Sequence, residues 1–109
     1  MNLFKNLFLS SLCFSASAYA VDATKAQQLA RQYACLSCHA IERKLVGPSY
    51  QDIAKKYAND KAAATKLVAK IRAGGSGVWG QIPMPANPTV SDIHLKTLVS
   101  WILAGAPKK

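Results

Sequence analysis

The sequence predicts an all-α fold. Apolar residues recur at i, i+3, i+4 and i+7 in four separate stretches, the spacing that builds one stripe along a helix. Capping residues or glycines stand at the edges of those stretches, where helices start and stop. No alternating apolar–polar run is long enough to form a strand.

The first twenty residues read as a targeting segment and not as part of that fold. Lys5 supplies a short positive region, Leu7 to Phe14 an apolar core, and Ala18-Tyr19-Ala20 an A-x-A cleavage site. An uncleaved anchor is the alternative, but the apolar stretch is short for a bilayer. The expected division is therefore a cleaved secretory signal over residues 1–20 and one small domain over residues 21–109. Cleavage removes Cys13 and Met1, so Cys35, Cys38 and Met84 become the only sulfur-bearing side chains of the mature chain.

The first helix carries Ala26, Leu29, Ala30 and Tyr33 on one face, with Asp22 or Thr24 as its cap. Directly after it comes Cys35-Leu36-Ser37-Cys38-His39, the C-x-x-C-H pattern of a c-type haem attachment site. Two thiols three positions apart can each add to a vinyl group of one haem, and the following imidazole then lies against the iron. In an exported chain the same pair could instead be a structural disulfide or a redox dithiol. The redox dithiol calls for a preceding strand and a βαβ pattern, and no strand is legible before Tyr33. Neither alternative gives His39 or Met84 a role.

The second helix is expected from Ser49, where Ser49 and Asp52 form a capping pair, to about Ala58, with Tyr50, Ile53, Ala54 and Tyr57 on one side. The third is expected to start at Asp60 as N-cap, to carry Ala64, Leu67, Val68 and Ile71, and to end at Gly74. Gly74-Gly75-Ser76-Gly77 lacks the Lys-Ser/Thr of a phosphate loop and follows a helix, so it reads as a turn. Pro83, Pro85 and Pro88 stiffen the segment beyond it. Met84 sits between two of these prolines and off any helical stripe, where a packing methionine would more often lie. A thioether held rigidly in that way suits the sixth coordination position of a haem iron. The fourth helix starts at Ser91 with Asp92 in its positive first turn, carries Leu95, Leu98, Val99 and Ile102, and stops at Gly105. His94 lies near the edge of that stripe and is the competing sixth ligand.

Fourteen Lys and Arg against five Asp and Glu give a formal charge of +9, and the presumed signal accounts for only one of the bases. The lysines are scattered and no nucleic-acid motif accompanies them, so nucleic acid is not an expected partner. The charge either keeps the protein soluble or steers it toward an acidic redox partner.

With Cys35-Leu36-Ser37-Cys38-His39, Val46-Gly47-Pro48 and Gly77-Val78-Trp79-Gly80-Gln81-Ile82-Pro83-Met84-Pro85 in view, the chain resembles the short bacterial class I cytochromes c of the c-551 type, from about Asp22 to Ala104. The resemblance implies about four helices around one haem c, attached covalently through Cys35 and Cys38, with His39 and Met84 as axial ligands. It further implies that the Pro48 carbonyl orients His39, that Trp79 and Lys70 donate to a haem propionate, and that Asn87 donates toward the Met84 sulfur. Trp101 is implied as the core aromatic where the first and last helices cross. Gln81 and Ala86 depart from the proline-richer form of the Met84 loop.

The expected function is single-electron carriage by a periplasmic monomer with no stable membrane insertion and no enzymatic activity. Its expected partners are redox proteins with acidic docking faces. An oxidase, nitrite reductase or peroxidase would be the acceptor and a membrane cytochrome complex the donor. A haem enzyme or gas sensor with a labile Met84 ligand is the alternative function. Leu45, Val46, Ile53, Ile71, Val78, Ile82 and Leu98 are expected to cover the haem.

Overall fold

A computed structural model describes residues 21–109. The expected signal segment lies outside the described residues. Four α-helices surround one core: α1 (Ala23–Gln32), α2 (Tyr50–Lys56), α3 (Ala63–Ala73) and α4 (Asp92–Leu103). A one-turn 3₁₀ helix, Cys35–Ser37, follows α1. Among the described residues no strand forms, and the only β-type pairings are two isolated bridges, His39 with Lys44 and Gly75 with Met84.

Asp22 caps α1, its Oδ1 accepting from the Lys25 N–H at 2.9 Å. That bond satisfies a donor which the helix itself leaves unpaired. Ala26, Leu29 and Ala30 are buried along one face, and their small size lets α1 lie close on α4. Ala34 follows with φ +57°, a left-handed conformation that crowds Cβ against the next carbonyl. This bend turns the chain into the Cys35–Ser37 turn. Replacing Ala34 by glycine removes the crowding but adds backbone entropy to the unfolded chain. The variant should gain about 0.5–1 kcal/mol, read as a higher urea midpoint with unchanged slope.

Ser49 caps α2, its Oγ accepting from the Asp52 N–H at 3.0 Å. Tyr50 and Ile53 are buried, while Ala54 and Tyr57 are half-buried. The helix ends at Lys56, short of the expected Ala58, because the chain tightens into turns there: Asp60 N–H bonds Tyr57 O at 3.1 Å.

The start of α3 departs from expectation. Asp60 does not cap it; its Oδ1 accepts from Ala62 N–H at 2.8 Å and its Oδ2 pairs with Lys66 Nζ at 2.6 Å. That Lys66 bond, with the Ala62 N–H, holds the Asp60 carboxyl below the usual carboxylate range. The aspartate thus builds the turn before the helix, and α3 starts at Ala63 without a side-chain cap. Ala63 is buried in place of the expected Ala64, which faces solvent. Leu67 is buried, and Val68 and Ile71 are half-buried.

The central element is α4, which packs against α1, α2 and α3. Ser91 caps it by accepting from His94 N–H, and Leu95, Leu98, Val99, Trp101 and Ile102 are buried. Gly105, at φ +94°, ends the helix as expected. The Trp101 indole is fully buried and donates to Pro107 O at 2.8 Å. The tail is tied down further: Gln27 donates to Lys108 O at 3.0 Å, and Lys108 pairs with Glu42 at 3.3 Å.

Candidate haem site

One cleft of about 390 Å³ runs between the segment after α1 and the loop between α3 and α4. Cys35, Cys38 and His39 line it from the first segment, and Met84 lines it from the second. The turn at Cys35–Ser37 brings the motif together, with His39 N–H bonding Cys35 O at 3.0 Å. Neither cysteine is paired in a disulfide, and both lie half-buried on the cleft wall. Burial pushes the Cys35 thiol up, partly offset by a hydrogen bond from Tyr50. Burial also pushes the Tyr50 phenol far up, with Cys35 adding to the effect, so it stays protonated.

Three neighbours fix the His39 ring. Nδ1 lies 2.7 Å from the Pro48 carbonyl, which can only accept, so Nδ1 carries the hydrogen. That leaves Nε2 as the ring atom able to bind a metal. Tyr50 stacks on the ring at 5.2 Å between centroids and 18° between planes. Gly47 lies against it so closely that a Cβ there would sit 2.7 Å from His39 Cε1. The glycine of Val46-Gly47-Pro48 is therefore required by the imidazole and not by its own backbone angle.

Backbone pairing holds Met84 as firmly as its flanking prolines do. Gly75 N–H bonds Met84 O and Met84 N–H bonds Gly75 O, both at 2.9 Å. Beyond it, Asn87 N–H bonds Ile71 O at 3.0 Å. Gly74, at φ +67°, lets this loop lie on the end of α3: a Cβ there would be 2.4 Å from Met84 O and 2.7 Å from Ala86 N. Gly74→Ala should therefore cost about 1–3 kcal/mol, from backbone strain and a displaced Met84 loop. An unchanged denaturant midpoint would show that the loop yields without cost.

The remaining expected residues fall as follows. Trp79 lines the cleft at its rim, 44% exposed, with Lys56 Nζ 5.5 Å above its ring. Lys70 and Asn87 also line the cleft, and the Asn87 amide donates to Pro85 O at 3.2 Å. Val46, Ile53, Ile71, Val78, Ile82 and Leu98 are all in the wall. Leu45, expected with them, is not. The competing ligand His94 does not line the cleft either; its Nδ1 faces the Tyr33 hydroxyl at 2.7 Å. Sequence reasoning placed Tyr50 on an apolar stripe and missed its contact with His39. Its position two residues after Pro48, at the first turn of a helix, was the only available signal.

A haem fits this site. Val46, Val78 and Ile82 are 51%, 51% and 66% exposed, and all three border the cleft. Large apolar side chains gathered round one opening mark a surface that a ligand covers. The donor set agrees, with two thiols for covalent attachment and an imidazole and a thioether for iron.

Fold and cleft together define a small all-α haem protein of the covalently attached kind. The Cytochrome c family model matches residues 23–105. Cytochrome c-552 of Nitrosomonas europaea is 48% identical over 99 residues, 91% of this chain and 96% of its own length. Cytochrome c-551 of Allochromatium vinosum is 47% identical over 92 residues, 84% of this chain and 98% of its own. The crystal structure of wild-type Nitrosomonas europaea cytochrome c552 superposes with a TM-score of 0.70 at 53% identity, covering 72% of this chain and 98% of that one. The chain belongs to the cytochrome c family, as a class I cytochrome c of the c-551 type. As a member it carries one haem c, attached through Cys35 and Cys38, and serves electron transport.

Proposed function

We propose that this protein is an exported, periplasmic, monomeric single-electron carrier in which His39 and Met84 would be the two protein ligands of the haem iron. The observation that supports this reading is that His39 and Met84 line one cleft, each fixed by backbone groups. A haem held here would supply one-electron chemistry at its iron. The protein's part is to keep both ligands in place through that change. Pro48 holds the His39 hydrogen on Nδ1 and keeps Nε2 directed for coordination. The Gly75–Met84 pairing holds the thioether side of the cleft. Trp79 and Lys70 supply N–H donors at the cleft for the haem propionates. Asn87 has a second amide hydrogen, beyond the one given to Pro85, for the Met84 sulfur. Two protein ligands on the iron would leave substrate and oxygen no open site, which favours carriage over catalysis.

Residues 1–20 act in this reading as the export signal, and among the described residues no helix is long and apolar enough to cross a membrane. Lys44 and Lys70 in the cleft wall, with Lys56 over Trp79, place positive charge where a partner with an acidic docking face would approach. An oxidase, nitrite reductase or peroxidase fits as acceptor, and a membrane cytochrome complex as donor.

Met84→His tests the ligand assignment. A second imidazole favours ferric iron relative to a thioether, so the reduction potential should fall by on the order of 0.1 V or more. A potential left where it was would remove Met84 from the coordination sphere. Ready binding of cyanide or carbon monoxide to the native protein would overturn the closed-site reading.

A further inference from the structure

Tyr33 and His94 form a polar pair that electron carriage does not use. The Tyr33 hydroxyl lies 2.7 Å from His94 Nδ1, and the ring centroids are 5.8 Å apart. The pair joins the end of α1 to the first turn of α4, and both side chains are half-buried. Tyr33 also lines the haem cleft, beside Cys35 and Leu98, whereas His94 does not. A phenol therefore stands between the cleft and a histidine.

We propose that His94 is a redox-linked proton site: it binds a proton when the cleft gains an electron and releases it when the electron leaves, with Tyr33 as the link. The inference rests on the electron-carrier reading. Histidine is the side chain whose charge changes between about pH 5 and 8. An added electron lowers the positive charge of the cleft by one unit, which favours a cation nearby across a partly buried, weakly screened path. The electron comes from the donor protein and the proton from solvent, and an imidazole N–H is the only bond made.

The hydrogen bond between the two rings responds to that proton. With neutral His94 protonated on Nε2, Tyr33 donates to Nδ1. With His94 protonated on both nitrogens, Nδ1 donates and the Tyr33 oxygen accepts. The phenolic hydrogen then turns away from His94, and the dipole of the hydroxyl reverses.

Other charges around His94 are already engaged or turned elsewhere. On α4, Asp92 and Lys96 are two residues away on either side, a spacing that puts them on different faces. From α3, Arg72 is held by Asp92 and by Val90 O; Lys66 is paired with Asp60, and Lys70 lines the cleft. From α1, Arg31 and Lys25 are exposed and Tyr33 makes the contact. From α2, Asp52, Lys55 and Lys56 are exposed, and Tyr50 packs edge-on against Trp101. Among the described residues no carboxylate forms an ion pair with His94.

The test follows the His94 ring protons by NMR across pH in the oxidised and reduced haem-bearing protein, with the reduction potential measured over the same range. The titration should move to higher pH on reduction, corresponding to proton binding on the order of two- to tenfold tighter. By reciprocity the potential should be higher at acid pH and fall as pH rises through that range. His94→Gln should remove the fall in that range, and Tyr33→Phe, which keeps the ring without the hydroxyl, should shrink the displacement. A reversible one-electron wave with identical His94 titrations in both states overturns the inference and leaves the carrier reading standing. A potential–pH profile unaltered by His94→Gln also overturns it, and a displacement untouched by Tyr33→Phe overturns the role of Tyr33.

Discussion

A Cys35→Ala/Cys38→Ala chain, which cannot hold haem covalently, should lose most of its helical circular dichroism. A small domain buries a modest share of its surface and has only about 5–15 kcal/mol of net stability to lose. The described fold shows where the deficit would fall. Val46, Val78, Trp79 and Ile82 border the cleft with 44–66% of their surface exposed, where a group seated in the cleft would cover them. A ligand bound by the native state alone stabilises that state by mass action, and a covalent one cannot be diluted away. Three of the four helices face the cleft directly. Ile53 of α2, Leu67 and Ile71 of α3, and Leu98 and Ile102 of α4 line it, whereas no residue of α1 does. Residual helix in the double variant should therefore come from α1 and the face of α4 that packs against it. Near-native ellipticity and a cooperative melt in that variant would show that the polypeptide core suffices.

Trp101→Ala should cost about 3–5 kcal/mol, a large share of the whole, while haem attachment persists. The indole is 0% exposed and its N–H bond to Pro107 O ties down the C-terminal tail. Its ring also meets Tyr50 in a T-shaped contact, 5.2 Å between centroids, and Tyr50 in turn stacks on His39. The substitution thus leaves a cavity, an unpartnered Pro107 carbonyl and a loosened support beneath the His39 imidazole. Urea unfolding of the haem-bearing variant reads the first effect, and the iron spectrum at moderate urea reads the last. A loss below about 1 kcal/mol would mean that the α1–α4 crossing collapses to fill the space.

Much of the fold was legible because helices are made by short-range chemistry. Asp22, Ser49 and Ser91 each meet a backbone N–H three residues on, and the stripe Leu95, Leu98, Val99 and Ile102 needs only its own spacing to be seen. The α3 start was misread for a related reason. Asp60 can satisfy a helix N–H or an earlier turn, and Lys66 decided between them. Whether Ala63 or Ala64 points inward follows from where α4 lies, which no local pattern contains.

The attachment motif, the proline-flanked methionine and the four helices are all properties of residues a few positions apart, so the chain reveals them before it folds. The contacts that make a site of them span long distances in sequence. Gly74 matters because the Met84 loop passes within 2.4 Å of its missing Cβ, Tyr50 because it lies between His39 and Trp101, and Tyr33 because α4 brings His94 to its hydroxyl. Spacing and capping act over one or two helical turns, whereas side chains brought together by the packing of separate helices have no periodicity to announce them.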